Sequence, residues 1–197
     1  MTCLADIDVA ILCGGKGTRA QSYLGNTPKV LAPFAGRPFI EHHIDYLREY
    51  GAKRIILLAG HGHDQVNDWL TQHPIPDVLL VKESKLQGGG RALQDAIGVF
   101  LTYNVLITNG DTLLIGDLNQ VIPKLKAHYQ YIPSVLTVGG KSTGMCLGVV
   151  DLIRDGIFLA LPVEAMFGFS FIDFGTPEGY RSALEHFNDH HEDAISH

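Results

Sequence analysis

The chain has 197 residues and a formal net charge of −6, which favours a single domain and argues against a protein that coats nucleic acid, since such proteins are usually basic. Its residues are 46% hydrophobic, enough for a sizeable core, and no apolar run reaches membrane-spanning length. The three cysteines lack C-x-x-C spacing, and the acidic N-terminus is not typical of a signal peptide. We therefore predict a cytoplasmic protein with neither a nucleic-acid nor a membrane partner.

Apolar runs alternate with helical periodicity over most of the chain. The predicted buried strands are 9–13, 54–59, 77–82, 104–108 and 133–138. The predicted helices are 38–50, 63–71, 91–101 and 117–129. A loop at 14–26 and a short extended piece at 28–33 follow the first strand. The alternation predicts an α/β protein with a three-layer αβα, Rossmann-like architecture and a mostly parallel sheet. In such sheets ligands bind at the carboxyl ends of the strands.

The pattern is weaker after residue 138. Segments 146–152 and 156–161 resemble a hairpin with its turn at 154–156. A strand is predicted at 167–174, followed by a turn and a last helix that Thr176 caps, with Pro177 in its first turn. The segment from His186 is polar. We therefore predict one domain, residues 1–185, and a polar C-terminal tail, residues 186–197.

The glycine-rich stretch after the first strand is the main functional signal. Residues 12–19 read L-C-G-G-K-G-T-R; glycines let a backbone approach a ligand closely and point N–H groups at phosphate oxygens. Lys16, Arg19 and Lys29 add positive charge, so the region resembles a triphosphate cradle. Residues 15–20 also match the G-x-G-x-x-A dinucleotide fingerprint, but no helix begins at once and no acid ends the second strand, which disfavours a Rossmann oxidoreductase.

Four motifs in order resemble the sugar-phosphate nucleotidylyltransferase family. They are L-C-G-G-K-G-T-R with P-K-V-L-A-P-F-A-G-R-P-F-I-E-H, G-G-G-R-A-L at 88–93, N-G-D at 109–111 and F-I-D-F-G-T-P-E-G-Y at 171–180. Within the family, the heptose 1-phosphate guanylyltransferases are the most similar type. The resemblance implies the nucleotide-diphospho-sugar transferase fold. It also implies that an NTP and a sugar 1-phosphate, such as GTP with a heptose or hexose 1-phosphate, form an NDP-sugar and pyrophosphate.

The same resemblance implies roles for particular residues. Asp111 and Asp173 would hold Mg²⁺, which prefers one or two carboxylates together with phosphate oxygens and water. Arg19 would stabilise the leaving pyrophosphate and Lys29 the α-phosphate or the attacking phosphate, and with Asp111 they form the catalytic set. The predicted nucleotide-binding residues are Leu12, Gly14, Gly15, Lys16, Gly17, Thr18, Gln87, Gly88, Asn109 and Gly110.

The second half of the chain departs from the family pattern. It has no E-K-P-like segment, whose lysine meets the sugar phosphate, and no N-A-G-Y-like segment; Glu164 stands roughly where the former belongs. Arg91 replaces a small residue of the second glycine motif, and whether it contacts nucleotide is left open. The alternative is therefore a catalytically inactive relative that binds nucleotide or NDP-sugar and regulates a partner. The base, the sugar and the oligomeric state, including a homo-oligomer, are left open.

Overall fold

The chain folds around a central sheet in a computed structural model, which describes residues 2–85, 87–128, 133–158, 160–165 and 168–195. The strands are β1 (Asp8–Leu12), β2 (Pro33–Phe34), β3 (Arg37–Pro38), β4 (Ile55–Ala59), β5 (Val78–Lys82), β6 (Asn104–Asn109), β7 (Thr112–Ile115), β8 (Ser134–Val138), β9 (Lys141–Val149), β10 (Leu161–Glu164) and β11 (Ser170–Asp173). The helices are α1 (Gln21–Leu24), α2 (Phe39–Glu49), α3 (His63–Gln72), α4 (Gly89–Asp95), α5 (Leu118–His128), α6 (Val150–Arg154) and α7 (Pro177–Ile195).

The strand order of the main sheet, within the described residues, is β10-β8-β9-β6-β1-β4-β5. Strand β9 runs antiparallel to both of its neighbours, and the other pairs are parallel. Apart from Asp8, the two strands β1 and β4 are apolar, and they are almost wholly buried, as expected for parallel strands covered on both faces. Their carboxyl ends, together with those of β5 and β6, therefore form one edge of the sheet.

Helices cover both faces of this sheet. Val9 and Ile11 of β1 face a core built with α2, α3 and α5, whereas Ala10 faces a second core built with α4 and α6. This alternation is the two-residue period of a strand, and it fixes which helix lies on which side. The α/β, three-layer αβα fold with a mostly parallel sheet is confirmed.

A two-stranded ribbon, β7 with β11, lies apart from the main sheet. The two strands pair antiparallel, with Thr112 opposite Asp173. A third apolar cluster, which contains Phe34, Phe39 and Phe174, packs α7 against this region. The C-terminal part of the chain is thereby attached beside the end of β6.

Several predicted segments differ from the structure. The loop 14–26 contains α1, and a 3₁₀ turn, Lys29–Leu31, interrupts the piece predicted as extended. Strand β7 was missed, because its four residues follow β6 almost directly. Helix α4 begins at Gly89 and ends before a 3₁₀ turn at Ile97–Val99, rather than running from 91 to 101.

The predicted hairpin at 146–161 is wrong. Residues 141–149 form the long strand β9 between β6 and β8, residues 150–154 form α6, and β10 pairs parallel with β8. The partner of each of these strands is distant in sequence, so local alternation did not reveal it. Helix α7 extends through most of the segment predicted as a polar tail, as far as Ile195.

Two predicted boundaries, Tyr129 at the end of a helix and Phe167 at the start of a strand, lie outside the described residues. The division into a domain at 1–185 and a tail stays a prediction. None of the helices in the described parts of the chain combines the length and the apolar character needed to cross a bilayer.

Candidate active site

A cavity of about 490 Å³ opens at the carboxyl ends of β1, β5 and β6. Glycines and charged residues from three separate parts of the chain line it. They are Leu12, Cys13, Gly14, Gly15, Lys16, Lys29, Val30, Glu83, Gly88, Gly89, Asn109, Gly110 and Asp111. Its position agrees with the rule that ligands of open α/β sheets bind at the carboxyl ends of the strands.

A charged cluster forms one end of this cavity. The Lys29 ammonium lies 2.5 Å from Asp111 Oδ2, and the two side chains are 17% and 26% exposed. The ribbon adds Asp173, because Phe174 N donates a 3.0 Å hydrogen bond to Asp111 O and Thr112 pairs with Asp173. The chain thus brings together one lysine and two carboxylates from three distant segments.

Gly175 keeps the space between these three groups open. A Cβ atom at this position would lie 2.8 Å from Lys29 Nζ, 2.9 Å from Asp173 Oδ1 and 3.3 Å from Asp111 Oδ2. The Gly175 N–H also donates a 2.8 Å hydrogen bond to Asp173 Oδ1, which orients that carboxylate. Lys29, Asp111 and Asp173 therefore face a common space that any larger residue would fill.

The loop after β1 packs closely against this end. The Gly110 N–H donates a 2.9 Å hydrogen bond to Leu12 O, and a Cβ on Gly110 would meet Val30 and lie 3.0 Å from that same oxygen. The Tyr23 hydroxyl donates a 2.8 Å hydrogen bond to Phe174 O. Its ring stacks on Tyr180 with centroids 4.8 Å apart. The glycine loop and the ribbon are thereby held to each other.

Glu83, directly after β5, forms the opposite end of the cavity. Its carboxylate lies against Gly14, where any Cβ would collide with Glu83 Oε1. Among the described residues, its side chain has no hydrogen-bond or ion-pair partner. Burial, with a smaller contribution from Asp95, raises the pKa of the Glu83 carboxyl above its ordinary value. The cavity thus has a cation and two carboxylates at one end and an unpaired carboxylate at the other.

Two buried groups, Cys13 in the cavity lining and His43 on α2, also have shifted pKa values. Burial, and then the charges of Asp111 and Glu83, raise the pKa of the Cys13 thiol, which is therefore neutral at physiological pH. Burial lowers the pKa of His43 to about 4. One ring nitrogen of His43 lies 3.2 Å from the Thr108 hydroxyl on β6. Neither group carries a charge into the site near neutral pH.

The structure places most of the predicted site residues at this cavity. The predicted residues that line it are Leu12, Gly14, Gly15, Lys16, Lys29, Gly88, Asn109, Gly110 and Asp111. Gly17 lies beside the Lys29 side chain with a φ of +59°. Thr18, Arg19 and Gln87 are exposed and are not part of the lining. The Arg19 guanidinium forms no hydrogen bond or ion pair with any described residue, so it is available to a ligand.

Two departures from the family pattern have structural explanations. Arg91 lies 3.1 Å from Asp95 in an ion pair along α4 and does not line the cavity. Glu164 accepts a 2.6 Å hydrogen bond from the Thr137 hydroxyl and others from backbone N–H groups of the turn after β8, so it braces that turn.

Sequence reasoning missed Cys13, Val30, Glu83 and Gly89 as lining residues. The signal for Glu83 was present, since an ionisable residue directly after a predicted strand belongs at the ligand-binding edge. Asp173, in contrast, was predicted, but from its motif alone. The pairing of β11 with β7 explains its position.

Several known proteins resemble this chain in sequence and in fold. A family model described as the MobA-like NTP transferase domain matches residues 9–147. The bifunctional protein GlmU of Cellvibrio japonicus is 40% identical over 109 residues, which are 55% of this chain and 23% of that protein. The D-glycero-α-D-manno-heptose 1-phosphate guanylyltransferase of Aneurinibacillus thermoaerophilus is 26% identical, over 92% of this chain and all of its own.

Among solved structures, HddC from Yersinia pseudotuberculosis superposes with a TM-score of 0.77 at 24% identity, over 92% of this chain and 99% of that one. The chain spans about a quarter to a third of the length of the GlmU proteins that it matches. The chain belongs to the MobA-like NTP transferase family, because the family model covers well over half of it. The predicted membership among sugar-phosphate nucleotidylyltransferases is thereby confirmed.

Proposed function

We propose that this protein is an enzyme that transfers a nucleotidyl group from an NTP to a sugar 1-phosphate, with formation of an NDP-sugar and release of pyrophosphate. One observation carries the proposal. Lys29, Asp111 and Asp173 converge around Gly175 at one end of a glycine-lined cavity. Phosphoryl-type transfer needs positioning and charge stabilisation more than covalent chemistry, and this arrangement supplies both.

Each side chain of the site acts on a different part of the reaction. The sugar phosphate oxygen attacks the α-phosphorus, and the bond from that phosphorus to the bridging oxygen of pyrophosphate breaks in line. Lys29, at the end of the cavity next to Asp111, offsets the negative charge that develops on the α-phosphate. Arg19, exposed and unpaired among the described residues, stabilises the leaving pyrophosphate. The backbone of Gly14 and Gly15 follows the nucleotide.

The two carboxylates fit a magnesium ion that arrives with the nucleotide. Among the described residues, no group of three His, Cys, Asp or Glu side chains is arranged to hold a metal alone. Two carboxylates completed by phosphate oxygens and water are what Mg²⁺ prefers, and the gap at Gly175 leaves room between Asp111 and Asp173. When bound there, Mg²⁺ would neutralise phosphate charge and align the triphosphate.

More specifically, we propose GTP and a heptose or hexose 1-phosphate as the substrates. This proposal is supported by the printed activity of the relative from Aneurinibacillus thermoaerophilus, a heptose 1-phosphate guanylyltransferase that matches along its whole length. The absence of an E-K-P-like segment supports the alternative, an inactive nucleotide-binding regulator. This alternative is disfavoured because Lys29, Asp111 and Asp173 are all present and brought together. Cytoplasmic location and a homo-oligomeric state stay predictions.

Pyrophosphate release tests the proposal. Each common NTP is offered with Mg²⁺ against a panel of heptose, mannose and glucose 1-phosphates. We expect release that requires both one NTP and one sugar phosphate. Nucleotide binding without release across the panel would favour the regulatory alternative.

Asp111→Asn is the matched variant for this assay. It keeps the shape of the side chain but removes one of the two carboxylate charges, so turnover should be abolished while the thermal unfolding midpoint stays close to that of the parent protein. Near-normal turnover of Asp111→Asn would remove this residue from the reaction centre.

A further inference from the structure

We infer that Tyr23 is a positioning residue that acts on the reaction through Arg19. Its hydrogen bond to Phe174 holds the loop that carries Arg19 beside Asp111 and Asp173. The inference rests on the proposed nucleotidyl transfer, in which Arg19 stabilises the leaving pyrophosphate. The hydroxyl of Tyr23 is bonded to the protein, so its effect on the reaction is indirect.

The loop of residues 15–27 has few attachments to the rest of the protein. Most of its residues are exposed; Ala20 is buried, and Tyr23 and Leu24 are half-buried. Within the described parts of the chain, Tyr23 is the only side chain of this loop that forms a hydrogen bond outside it. Segments with few buried contacts open at a small cost in free energy. The position of Arg19 therefore depends on how firmly Tyr23 is held.

Arg19 and Tyr23 belong to one short helical turn. The Tyr23 N–H donates a 3.1 Å hydrogen bond to Ala20 O, and the Ser22 hydroxyl donates a 3.4 Å hydrogen bond to Arg19 O. Residues that are bonded within a single turn move together. Fixing the Tyr23 side chain therefore also fixes the backbone that carries the Arg19 guanidinium.

The acceptor of the Tyr23 hydrogen bond is connected to both carboxylate residues of the site. Phe174 O accepts from the Tyr23 hydroxyl at 2.8 Å, and Phe174 N donates to Asp111 O at 3.0 Å. Phe174 directly follows Asp173 and is fully buried. One rigid residue thus links the loop of Arg19 to Asp111 and Asp173.

The ring of Tyr23 makes a second attachment. It stacks on Tyr180, in the first turn of α7, with centroids 4.8 Å apart and ring planes inclined by 27°. The Tyr180 ring in turn lies 5.1 Å from that of Phe34, in the third apolar cluster. Such aromatic pairs stabilise beyond the area that they bury. Phenylalanine at position 23 would keep this contact and lose only the hydrogen bond.

The Tyr23 hydroxyl lies among the charged groups of the site. Burial, and then the charges of Asp111 and Asp173, raise its pKa, while the charge of Arg19 opposes this shift. The hydroxyl is therefore protonated at neutral pH and remains a hydrogen-bond donor. Its bond to Phe174 is thus intact under the conditions in which Arg19 would meet a triphosphate.

The strength of the attachment limits the effect of removing it. A detached loop can still close on a ligand, and closing costs the ligand only the free energy that Tyr23 no longer supplies. One neutral hydrogen bond corresponds to roughly a 2- to 10-fold change in affinity. Loss of the ring contact as well raises this to roughly 10- to 100-fold.

Equilibrium binding tests this role. Without sugar phosphate nothing is transferred, so calorimetry with Mg²⁺ can compare the tightest-binding common NTP with its own monophosphate, which lacks the phosphates assigned to Arg19. Tyr23→Phe should weaken NTP binding roughly 2- to 10-fold, and Tyr23→Ala roughly 10- to 100-fold. Neither change should alter the affinity for the monophosphate, whereas general damage to the cavity would weaken both ligands.

Two further variants separate positioning from stability. In an Arg19→Ala background, Tyr23→Phe should no longer change NTP affinity, because residues that act through one another are not additive. Tyr46→Phe is the matched control, since it removes a 2.9 Å hydrogen bond from α2 to Gly116 O, directly after β7. It should lower stability and leave both affinities unchanged. Unfolding curves establish that all variants fold.

The outcomes are distinct. Unchanged NTP affinity in Tyr23→Phe, an equal loss for NTP and monophosphate, or a full effect of Tyr23→Phe in the Arg19→Ala background would overturn the role of Tyr23 and leave the nucleotidyl transfer standing. Binding of none of the common NTPs would overturn the proposed function and this inference together.

Discussion

Gly175→Ala should remove most of the activity of this protein while leaving its stability nearly unchanged. The added Cβ would lie 2.8 Å from Lys29 Nζ and 2.9 Å from Asp173 Oδ1. Ordinary non-bonded contacts begin near 3.5 Å, so these two groups must retreat by about 0.6 Å or more. A displacement on the order of 1 Å in a positioning group can reduce the rate by roughly 100-fold. That is the loss of turnover we expect.

The effect on stability should be small for two reasons. The atoms that must move nearest to the new Cβ are the ends of side chains, and Lys29 is flexible. The backbone of Gly175 is not in the left-handed region, so alanine is not strained there, and a compatible Gly→Ala change stabilises by about 0.4–1 kcal/mol through the unfolded chain. The free energy of unfolding should therefore stay within about 1 kcal/mol of the parent value.

The assay pairs pyrophosphate release with thermal unfolding. Gly98→Ala is the matched control, because a Cβ there meets nothing within 4 Å and the residue lies in the 3₁₀ turn far from the ribbon. The control should keep both activity and stability. Full turnover by Gly175→Ala would show that the space between Lys29 and Asp173 is not used in the reaction. A large loss of stability would show that the ribbon, rather than the site, had been disturbed.

Three further changes test other parts of the molecule. Arg19→Ala should lower turnover by roughly two to three orders of magnitude, as the loss of one charge-stabilising donor does; unchanged kinetics would make the glycine loop structural only. Tyr23→Phe removes a 2.8 Å hydrogen bond to Phe174 O but keeps the ring, so chemical denaturation should show a free energy of unfolding lower by about 1 kcal/mol. An unchanged free energy of unfolding would show that this hydrogen bond does not stabilise the fold. Burial lowers the pKa of His43 from 6.5 to about 4. Between these two pH values the unfolded chain therefore binds a proton at His43 that the folded protein does not bind. Stability should therefore fall by roughly 3 kcal/mol as the pH drops from 6.5 to 4. His43→Gln should flatten this dependence in denaturation curves, and an unchanged slope would exclude His43 as its source.

The parts of the fold that the sequence predicted are those in which local pattern and tertiary environment agree. Strands β1 and β4 are continuous apolar runs because both of their faces are buried, and such runs are visible without any partner. The failure at 146–161 has the opposite cause. Strand β9 is bordered by two strands of distant segments and contains Gly144, whose φ is +74° where the Asn109 side chain crosses it. Neither its partners nor this close approach leaves a local signal.

The candidate site likewise contains residues that the sequence predicted and a residue that it missed. Lys29 and Asp111 were predicted because their motifs are contiguous and ordered, and the structure places them in contact. Glu83 was missed although it directly follows a predicted strand, because no motif includes it; the packing of β5 beside β4 brings it over Gly14. Charged residues at a ligand-binding edge are therefore predictable when a motif names them and are missed when only topology places them.

The second carboxylate of the site depends on a part of the chain beyond the family model. That model ends at residue 147, whereas Asp173 lies on β11. What holds β11 in place is apolar: Phe174 is fully buried with Phe34 and Phe39, and α7 closes the cluster from outside. Burial of each such aromatic side chain contributes about 1.5–3 kcal/mol, far more than an exposed ion pair does. Hydrophobic packing of α7 thus sets the position of the second carboxylate of the candidate site.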